Sequence, residues 1–238
     1  MISILAMVAL IVATASALNN GLARTPPCGL NSYMSGKSGA AFLSSMADYF
    51  VSHGWDKLCT SGLFVNSDEG WELKTRNSTT HELVADPKQY PEGIPALVAS
   101  LAAKGSGVKL GLYGAASGVT CGGISGQLGY EDIDVATLVR WGVGYWKSDN
   151  CASYAMDSSV RFAATRDALL RANAQIVYSI EPFSIAPDLR QSSKVANLYR
   201  THKDISGDWS SVLDRADIAD KWAPLSGPGS WADPDMIK

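Results

Sequence analysis

Short apolar segments alternate with longer helix-like segments along nearly all of the 238 residues, and this alternation constrains the fold most. Strand candidates begin near residues 28, 62, 108, 143, 176, 197 and 229. Helix-like stretches lie among them, at 38–54, 93–104, 131–141, 157–172 and 208–222. Strands that alternate with helices predict parallel β-α units. We therefore predict an α/β protein built on a parallel sheet.

Acidic residues stand at the C-terminal ends of most of these strand candidates. The clearest case is WKSDN at 146–150, which follows the apolar run WGVGY and puts Lys147 and Asp149 at the strand end. The same position is taken at other strands by Asp68 with Glu69, by Glu181, by Asp204 and by Asp235. Because charge is costly inside a strand, the recurrence indicates a functional rim rather than a series of solvated junctions.

Two architectures fit this pattern, a (β/α)8 TIM barrel and an open doubly wound sheet. A doubly wound sheet that binds nucleotides carries a glycine-rich phosphate loop after its first strand, and no such loop is present here. We therefore predict a barrel, with about seven of its eight β-α units in this sequence. Since seven strands leave a barrel unclosed, we expect a sequence that is truncated at its C-terminus.

Residues 1–17 have the character of a secretory signal peptide. Their apolar run is short and ends in Ala15-Ser16-Ala17, a small-x-small cleavage site. A membrane anchor is the alternative, but the run is too short for a stable span and no other long apolar run follows. We predict cleavage after Ala17, one catalytic domain at 18–238 that is free of the membrane, and a secreted, lysosomal or vacuolar location.

The four cysteines fit an oxidising compartment. Cys28, Cys59, Cys121 and Cys151 allow three pairings, among which spacing does not choose. No CxxC pair is present, so a zinc cluster is not predicted. The sequon NST at 77–79 predicts glycosylation of Asn77.

Charge and histidine content exclude several other classes of protein. The net charge of −3 and the lack of a basic stripe argue against a nucleic-acid partner. The three histidines, His53, His81 and His202, are too scattered to suggest a metal site, and no Ser-His-Asp hydrolase motif is found. We predict neither a cofactor nor a metal. The sequence does not decide between a monomer and a homodimer.

The acids and nearby aromatic residues suit a carbohydrate, whose hydroxyls bind carboxylates and whose C–H faces pack on rings. The aromatic residues that we expect near the rim are Trp71, Tyr113, Trp146 and Trp231. The tryptophans that we expect to pack in the core or against helices are Trp141, Trp209 and Trp222.

Glycoside hydrolysis requires two carboxyl groups, about 5–5.5 Å apart for retention and about 6.5–9.5 Å apart for inversion. Sequence alone leaves this separation open. Lys147 lies two residues before Asp149 and projects to the same face, where a cation favours an ionised nucleophile. Asp204 lies on a looser segment after Arg200. The two acids therefore have the unlike environments that a nucleophile and a proton donor need.

Several ordered motifs between Leu22 and Met236 resemble the family 27 glycoside hydrolases, the secreted α-galactosidases and α-N-acetylgalactosaminidases. The most specific is LGYEDIDVATLVRWGVGYWKSDNC at 128–151, which is similar to that family's nucleophile region. The others are LARTPPCGLNSY at 22–33, KLGLYG at 109–114, RTHKDISGDW at 200–209 and GPGSWADPDM at 227–236.

The resemblance implies a (β/α)8 barrel that removes terminal α-D-galactose with retention, and a C-terminal β domain that is absent from this sequence. Asp149 would be the nucleophile and Asp204 the acid/base. It implies sugar binding by Asp68, Glu69, Tyr113, Lys147, Glu181, Arg200 and Asp235. It also implies a disulfide between Cys121 and Cys151, which leaves Cys28 and Cys59 as the second pair.

Departures from the family pattern leave the substrate open. Leu30 stands where the family usually has a sugar-facing tryptophan, and Glu69 is one methylene longer than the usual aspartate. Glu69 keeps a β-L-arabinopyranosidase as an alternative, whereas Glu181 favours galactose over N-acetylgalactosamine. Ser184 and Ile185 replace larger residues and predict a roomier pocket. A sugar-binding barrel that has lost catalysis is the alternative of another class.

Overall fold

The computed structural model describes residues 18–236, except for residue 106, residues 153–155 and residues 183–188. The predicted signal peptide at 1–17 lies outside the described residues, and so do Ser184 and Ile185 with the roomier pocket predicted from them. Within the described ranges, no helix has both the length and the apolar character needed to cross a bilayer.

The described residues contain seven strands, which begin close to the predicted positions. They are β1 Cys28–Asn31, β2 Leu63–Ser67, β3 Val108–Ala115, β4 Tyr145–Asp149, β5 Val177–Ile180, β6 Leu198–Arg200 and β7 Trp231–Asp233. The strand predictions are therefore confirmed.

The helices include all five that the sequence predicts. They are α1 Ala40–Ser52, α2 Trp55–Leu58, α3 Gly93–Ala102, α4 Glu131–Trp141, α5 Ser158–Arg171, α6 Leu189–Val195 and α7 Trp209–Lys221. The unpredicted helices α2 and α6 have four and seven residues, too few to show a helical period. Helix α4 ends at Gly142, whose φ of 77° lies in the left-handed region that favours glycine.

The seven described strands form one parallel sheet in the order β1-β2-β3-β4-β5-β6-β7. Every described strand pairs with its successor along the chain, with at least one helix between the two. A doubly wound sheet would reverse its strand order at a switch point. The barrel-type architecture is thus confirmed, and the doubly wound alternative is wrong.

Apolar side chains cover both faces of the sheet, which explains the apolar strand sequences. A large core lies between the sheet and the helices and includes Leu97 of α3, Leu138 of α4 and Phe162 of α5. A smaller cluster of Phe64, Tyr145 and Val177 fills the concave side. Strand residues alternate between faces, so every second residue of a strand lies on the concave face. On this face, polar side chains follow the apolar cluster along the strands and lie nearer the rim.

Four tryptophan predictions are wrong, and one of them concerns Trp231, which begins β7 at the end of the strand opposite the rim. Trp71 and Trp146 are fully buried in the large core and do not face the rim. Trp146 lies between Tyr145 and Lys147 on β4, so strand alternation turns it to the helix side. Trp209 was expected to pack, yet it is 71% exposed, because α7 buries only Arg215 among its described residues.

Both disulfides have the pairing that the resemblance implied. Cys28, the first residue of β1, is bonded to Cys59 after α2, which places this bridge at the N-terminal ends of the strands. Cys121 is bonded to Cys151, which follows β4 by two residues. The second bridge therefore lies at the rim that the acids occupy.

Candidate active site

A cavity of about 460 Å³ opens at the C-terminal ends of the strands, and every predicted site residue lines it. The predicted residues are Asp68, Glu69, Tyr113, Lys147, Asp149, Glu181, Arg200, Asp204 and Asp235. The strand-end pattern therefore located one site rather than scattered charges. The cavity volume lies in the range of small-molecule sites, about 300–1,000 Å³.

The prediction missed several residues that also line the cavity. Tyr33 follows β1 by two residues, so the strand-end rule applied to the first strand would have found it. Other missed residues flank predicted ones in sequence: Asn150, Lys203, Ile205 and Met236. Tyr33 supplies part of the aromatic surface that Trp71 and Trp146 do not.

Parallel register brings the residues of neighbouring strands side by side. Tyr113 of β3 is opposite Lys147 of β4, which in turn is opposite Ser179 of β5. Asp149 lies two residues beyond Lys147 on the same face of β4 and is opposite Ala115. The relative positions of Tyr113, Lys147 and Asp149 thus follow from strand pairing.

The Asp149 carboxylate is held on both oxygens. The Tyr113 hydroxyl donates to Oδ2 at 2.8 Å, and the Asn150 backbone N–H donates to Oδ1 at 2.6 Å. The disulfide sulfur of Cys121 lies 3.7 Å from Oδ2. Asn150 is itself anchored, since Arg161 of α5 donates to its side-chain oxygen at 2.5 Å. This carboxylate has a fixed orientation.

Tyr113 keeps its proton for this contact. Burial raises the pKa of the Tyr113 hydroxyl above its ordinary value, and the negative charge of Asp149 raises it further. The phenol is therefore a neutral donor over the physiological pH range.

Lys147 joins two carboxylates in the floor of the cavity. Its Nζ lies 2.8 Å from Asp68 Oδ2 and 3.0 Å from Glu181 Oε1. Burial by itself lowers the pKa of Lys147, but Glu181 and Asp68 raise it to a net value above the ordinary one. The buried cation is thus stabilised by its partners. The ring centroids of Tyr113 and Tyr33 lie 5.2 Å and 5.5 Å from Nζ.

Glu181 is the acid that binds two cations. Arg200 Nη1 lies 2.7 Å from its Oε1, which also contacts Lys147. Burial raises the pKa of Glu181; the cation of Lys147 opposes this shift, and the negative charge of Asp149 adds to it. The two cations therefore offset part of the cost of burying this carboxylate.

Arg200 of β6 connects the remaining acids. Its Nη2 lies 2.6 Å from Asp204 Oδ1, and its Nη1 lies 3.5 Å from Asp235 Oδ2. Burial lowers the pKa of Arg200, but Glu181 and Asp235 reverse this effect and raise it overall. One guanidinium thus orients acids from three strand ends.

Asp204 and Asp235 differ in exposure and in backbone geometry. The side chain of Asp204 is 62% exposed, whereas that of Asp235 is buried. Asp235 has a φ of 79°, which is strained for a residue other than glycine. In this conformation its Oδ2 accepts from the Ile205 backbone N–H at 2.9 Å. Backbone strain at a site residue is typical of functional sites.

Glu69 connects two rim loops. Its Oε1 accepts from the Gly122 backbone N–H at 2.7 Å, next to the Cys121–Cys151 disulfide. A Cβ atom at Gly122 would come within 2.9 Å of this oxygen, so a larger residue there would displace the Glu69 carboxylate. The additional methylene of glutamate is therefore used to reach a neighbouring loop.

One group of possible metal ligands occurs among the described residues, and it does not fit a metal. Cys121, Asp149 and Cys151 have their ligand atoms within 4.8 Å of one another. The two sulfurs are bonded to each other, so neither is a thiolate that could bind a cation.

Known proteins match this chain in sequence and in structure. A family model described as Alpha galactosidase A, Melibiase_2, matches residues 35–238. An α-galactosidase of Oryza sativa subsp. japonica is 35% identical over 225 residues, which are 93% of this chain and 53% of that protein. An α-N-acetylgalactosaminidase of Gallus gallus is 32% identical over 92% of this chain and 59% of its own length.

A solved structure agrees in fold. The crystal structure of α-galactosidase I from Mortierella vinacea has a TM-score of 0.83 and 29% identity, over 92% of this chain and 61% of that one. The chain spans about half the length of the curated relatives that it matches first. Since the family model covers most of the chain, this protein belongs to the Melibiase_2 family of alpha galactosidase A, the family 27 glycoside hydrolases that its sequence resembles.

Proposed function

We propose that this protein is a retaining glycosidase that removes terminal α-D-galactosyl residues from oligosaccharides or glycoconjugates. The observation that carries the proposal is the convergence of all the predicted site residues on one cavity. Two of its carboxyl groups have contrasting surroundings, as this chemistry requires. Asp149 is the nucleophile, and Asp204 is the acid/base.

In the first step, an oxygen of the Asp149 carboxylate bonds to the anomeric carbon while the glycosidic C–O bond breaks. The electron pair of the broken bond goes to the leaving oxygen, which takes the proton of Asp204. The fixed carboxylate suits this role because a near-attack geometry removes much of the entropic cost of the reaction. The product is an ester between Asp149 and the sugar.

In the second step, the Asp204 carboxylate accepts a proton from water, and the water oxygen bonds to the anomeric carbon. The ester bond breaks and its electron pair returns to Asp149, so both acids regain their starting states. Two inversions give net retention. The exposure of Asp204 supports this assignment, because the group must be reached by both a leaving group and water.

The charged groups in the cavity floor are suited to bind sugar hydroxyls. Lys147 and Arg200 are donors, and the partners that they orient are acceptors: Asp68, Glu181 and Asp235. Charge-assisted hydrogen bonds of this kind are short and directional. A site in which these groups are already oriented loses little entropy when the sugar binds.

We propose that Glu181 and Glu69 determine the substrate specificity. Glu181 suits a free 2-hydroxyl and therefore favours galactose over N-acetylgalactosamine. Glu69 has one oxygen engaged by Gly122, which leaves less of its carboxylate for the 4-hydroxyl or C6 side of the ring. A β-L-arabinopyranoside, which lacks C6, remains the alternative substrate.

Hydrolysis assays test the proposal directly. The protein is offered p-nitrophenyl α-D-galactopyranoside, the matching α-N-acetylgalactosaminide and the β-L-arabinopyranoside, with Asp149→Asn as control. We expect nitrophenol from the galactoside, an α anomer as the first sugar seen by proton NMR, and no turnover by the variant. Turnover of none of the three overturns the proposal. Preference for the arabinoside would assign the substrate choice to Glu69.

The sugar-binding alternative makes a separate prediction. A module without catalysis would bind galactose in calorimetry with equal affinity in the parent and in Asp149→Asn, and neither would release nitrophenol. Because Asp149 and Asp204 both line the cavity, we favour the enzyme.

We also propose that the protein follows the secretory route and carries a glycan. The two disulfides fit an oxidising compartment, and Asn77 is exposed on a loop. Expression in a eukaryotic host should yield a secreted chain that begins after Ala17, as read by N-terminal sequencing. Removal of N-glycans should increase its gel mobility, and Asn77→Gln should show no such change.

A further inference from the structure

The acid/base candidate lies on a segment without helix or strand. Residues 201–208 connect β6 to α7, and the carboxylate of Asp204 projects largely into solvent. A proton donor must nevertheless be held to well under an ångström, since a misplacement of about 1 Å can cost about 100-fold in rate. Contacts other than secondary structure must therefore hold Asp204 in place.

Arg215 of α7 makes one of these contacts. Its Nη2 donates to the backbone oxygen of Asp204 at 3.1 Å, and its side chain is only 6% exposed. Arg215 also pairs with the adjacent Asp214, whose side chain is 57% exposed and largely solvated. Burying a guanidinium costs free energy unless it has good hydrogen-bond or ionic partners. The orientation of Arg215 toward Asp204 therefore calls for a functional explanation.

The peptide group between Asp204 and Ile205 is held at both of its polar ends. Arg215 binds its oxygen, and Asp235 accepts from its N–H. A peptide group is planar, so two anchors on opposite edges restrict its rotation and thereby the direction of the Asp204 Cα–Cβ bond. Arg200 then orients the carboxylate at the far end of the side chain.

We infer that Arg215 is a positioning residue for the acid/base Asp204. It does not line the cavity and acts only through the backbone of the acid. The inference rests on the proposed function. It assigns to α7 a role that family membership does not supply.

The test compares two buried helix arginines. Arg215→Met removes the contact with Asp204. Arg166→Met is the matched control, because Arg166 of α5 is equally buried and pairs with the adjacent, 46% exposed Asp167 at 2.7 Å. Both variants lose a buried cation beside a neighbouring aspartate, and only the first loses a contact with the site. Arg215→Lys is a milder variant in case Arg215→Met fails to fold.

Leaving-group dependence is the readout that a merely structural role does not change. An impaired proton donor harms substrates with poor leaving groups most. We expect Arg215→Met to lower kcat/KM on a methyl or sugar α-galactoside about 10- to 100-fold, and on the nitrophenyl galactoside several-fold less. Sodium azide, which attacks without a general base, should raise kcat on the nitrophenyl substrate in this variant and not in the parent or in Arg166→Met. Arg215→Lys should change both readouts in the same direction by less.

Two results separate the inference from the proposed function. If the parent turns over galactosides, but Arg215→Met and Arg166→Met keep the parent's leaving-group ratio and azide response, the positioning role is wrong and the glycosidase stands. If the parent turns over none of the substrates, the proposed function fails.

Hydrogen–deuterium exchange then decides whether Arg215 holds the segment at 201–208. Faster exchange of this segment in Arg215→Met than in Arg166→Met supports the positioning role, and equal exchange overturns it.

Discussion

The two carboxyl groups that we propose as catalytic are held in opposite ways. Asp149 ends a buried strand, and the neighbouring strand and the adjacent peptide both donate to it. Asp204 lies on an irregular segment and is held by Arg200, together with contacts to its flanking peptide group. The proposed nucleophile therefore takes its position from the sheet, whereas the proposed acid/base takes its position from long side chains.

This difference matches the chemistry proposed for each group. A nucleophile attacks a single point and benefits from a rigid carboxylate with fixed donors. An acid/base gives up a proton and regains one in each cycle, so it must be accessible to water. A strand end in a packed sheet provides the first property. A solvent-exposed segment held by arginines provides the second.

The largest expected effects come from removing either carboxylate. Asp149→Asn should lower kcat/KM roughly 10⁴-fold or more on every galactoside, because the covalent step is lost. Asp204→Asn should lower kcat/KM about 10²- to 10⁴-fold on galactosides with poor leaving groups. The loss should be smaller on the nitrophenyl galactoside, whose nitrophenolate departs without a proton. Steady-state kinetics with both substrates measures this, and Asp132→Asn, an exposed acid of α4, serves as control. If Asp149→Asn and Asp204→Asn lost the same kcat/KM on the nitrophenyl galactoside, the two groups would not have separate roles.

The two disulfides provide the next comparison. They close loops of 30 and 31 residues, so their loss should cost the same free energy of unfolding, about 3–4 kcal/mol. Serine at Cys121 and Cys151 should also lower kcat, since Cys121 lies beside Asp149. Serine at Cys28 and Cys59 should leave kcat unchanged at temperatures where the protein stays folded. Urea unfolding and kinetics check both statements, and equal kcat values in the two variants would contradict them.

A smaller effect is expected from the Tyr113 hydroxyl. Tyr113→Phe removes the donor to Asp149 Oδ2, and a hydrogen bond to a charged group corresponds to roughly 10-fold in kcat. Tyr90→Phe is the control, because the Tyr90 hydroxyl is also buried and donates to Ser67 at 2.7 Å, away from the cavity. A kcat loss of the same size in both variants would mean that general loosening, and not the Asp149 contact, is responsible.

A further expected effect concerns stability near the strand-held acids. Burial raises the pKa of Glu72 to about 8 from its ordinary 4.5, with contributions from Glu69 and Asp68. Between these pH values, the folded state keeps a proton that the unfolded chain has released. The free energy of unfolding therefore falls as pH rises, by at most about 1.4 kcal/mol per pH unit from this group.

Glu72→Gln should remove this dependence. Urea unfolding at pH 5 and pH 8 should show a smaller loss of stability in the variant than in the parent. Glu82 lies on the same loop as Glu72, is partly exposed and pairs with Arg140 of α4. Glu82→Gln should therefore behave like the parent. The same pH response in all three proteins would mean that Glu72 is not the group responsible.

Much of the site could be predicted because its residues follow a local rule. An acid directly after a buried parallel strand reaches the rim wherever that strand lies in the sheet. Asp68, Asp149 and Glu181 required no knowledge of which strands are neighbours. Tyr33 follows the first strand in the same way, but it is not an acid and was not predicted.

Other features depend on packing and were not predictable in this way. Trp146 was assigned to the rim from its closeness in sequence to Lys147, although adjacent strand residues face opposite sides. Trp209 was assigned to packing from its size, although its position on α7 leaves it exposed. The contact between Glu69 and Gly122 joins loops that are 53 residues apart and depends on how they fold together.

By itself, the sequence determined the strand and helix order, the parallel sheet and the identity of the acids, because these depend on short-range periodicity and on chain direction. Only the tertiary structure decided which acids share a cation, which tryptophans are buried, and how Arg215 and Asp235 hold the peptide group after Asp204. Those features depend on distances between residues that are remote along the chain. Such distances are set when side chains pack together and bury charge, and no local pattern encodes them.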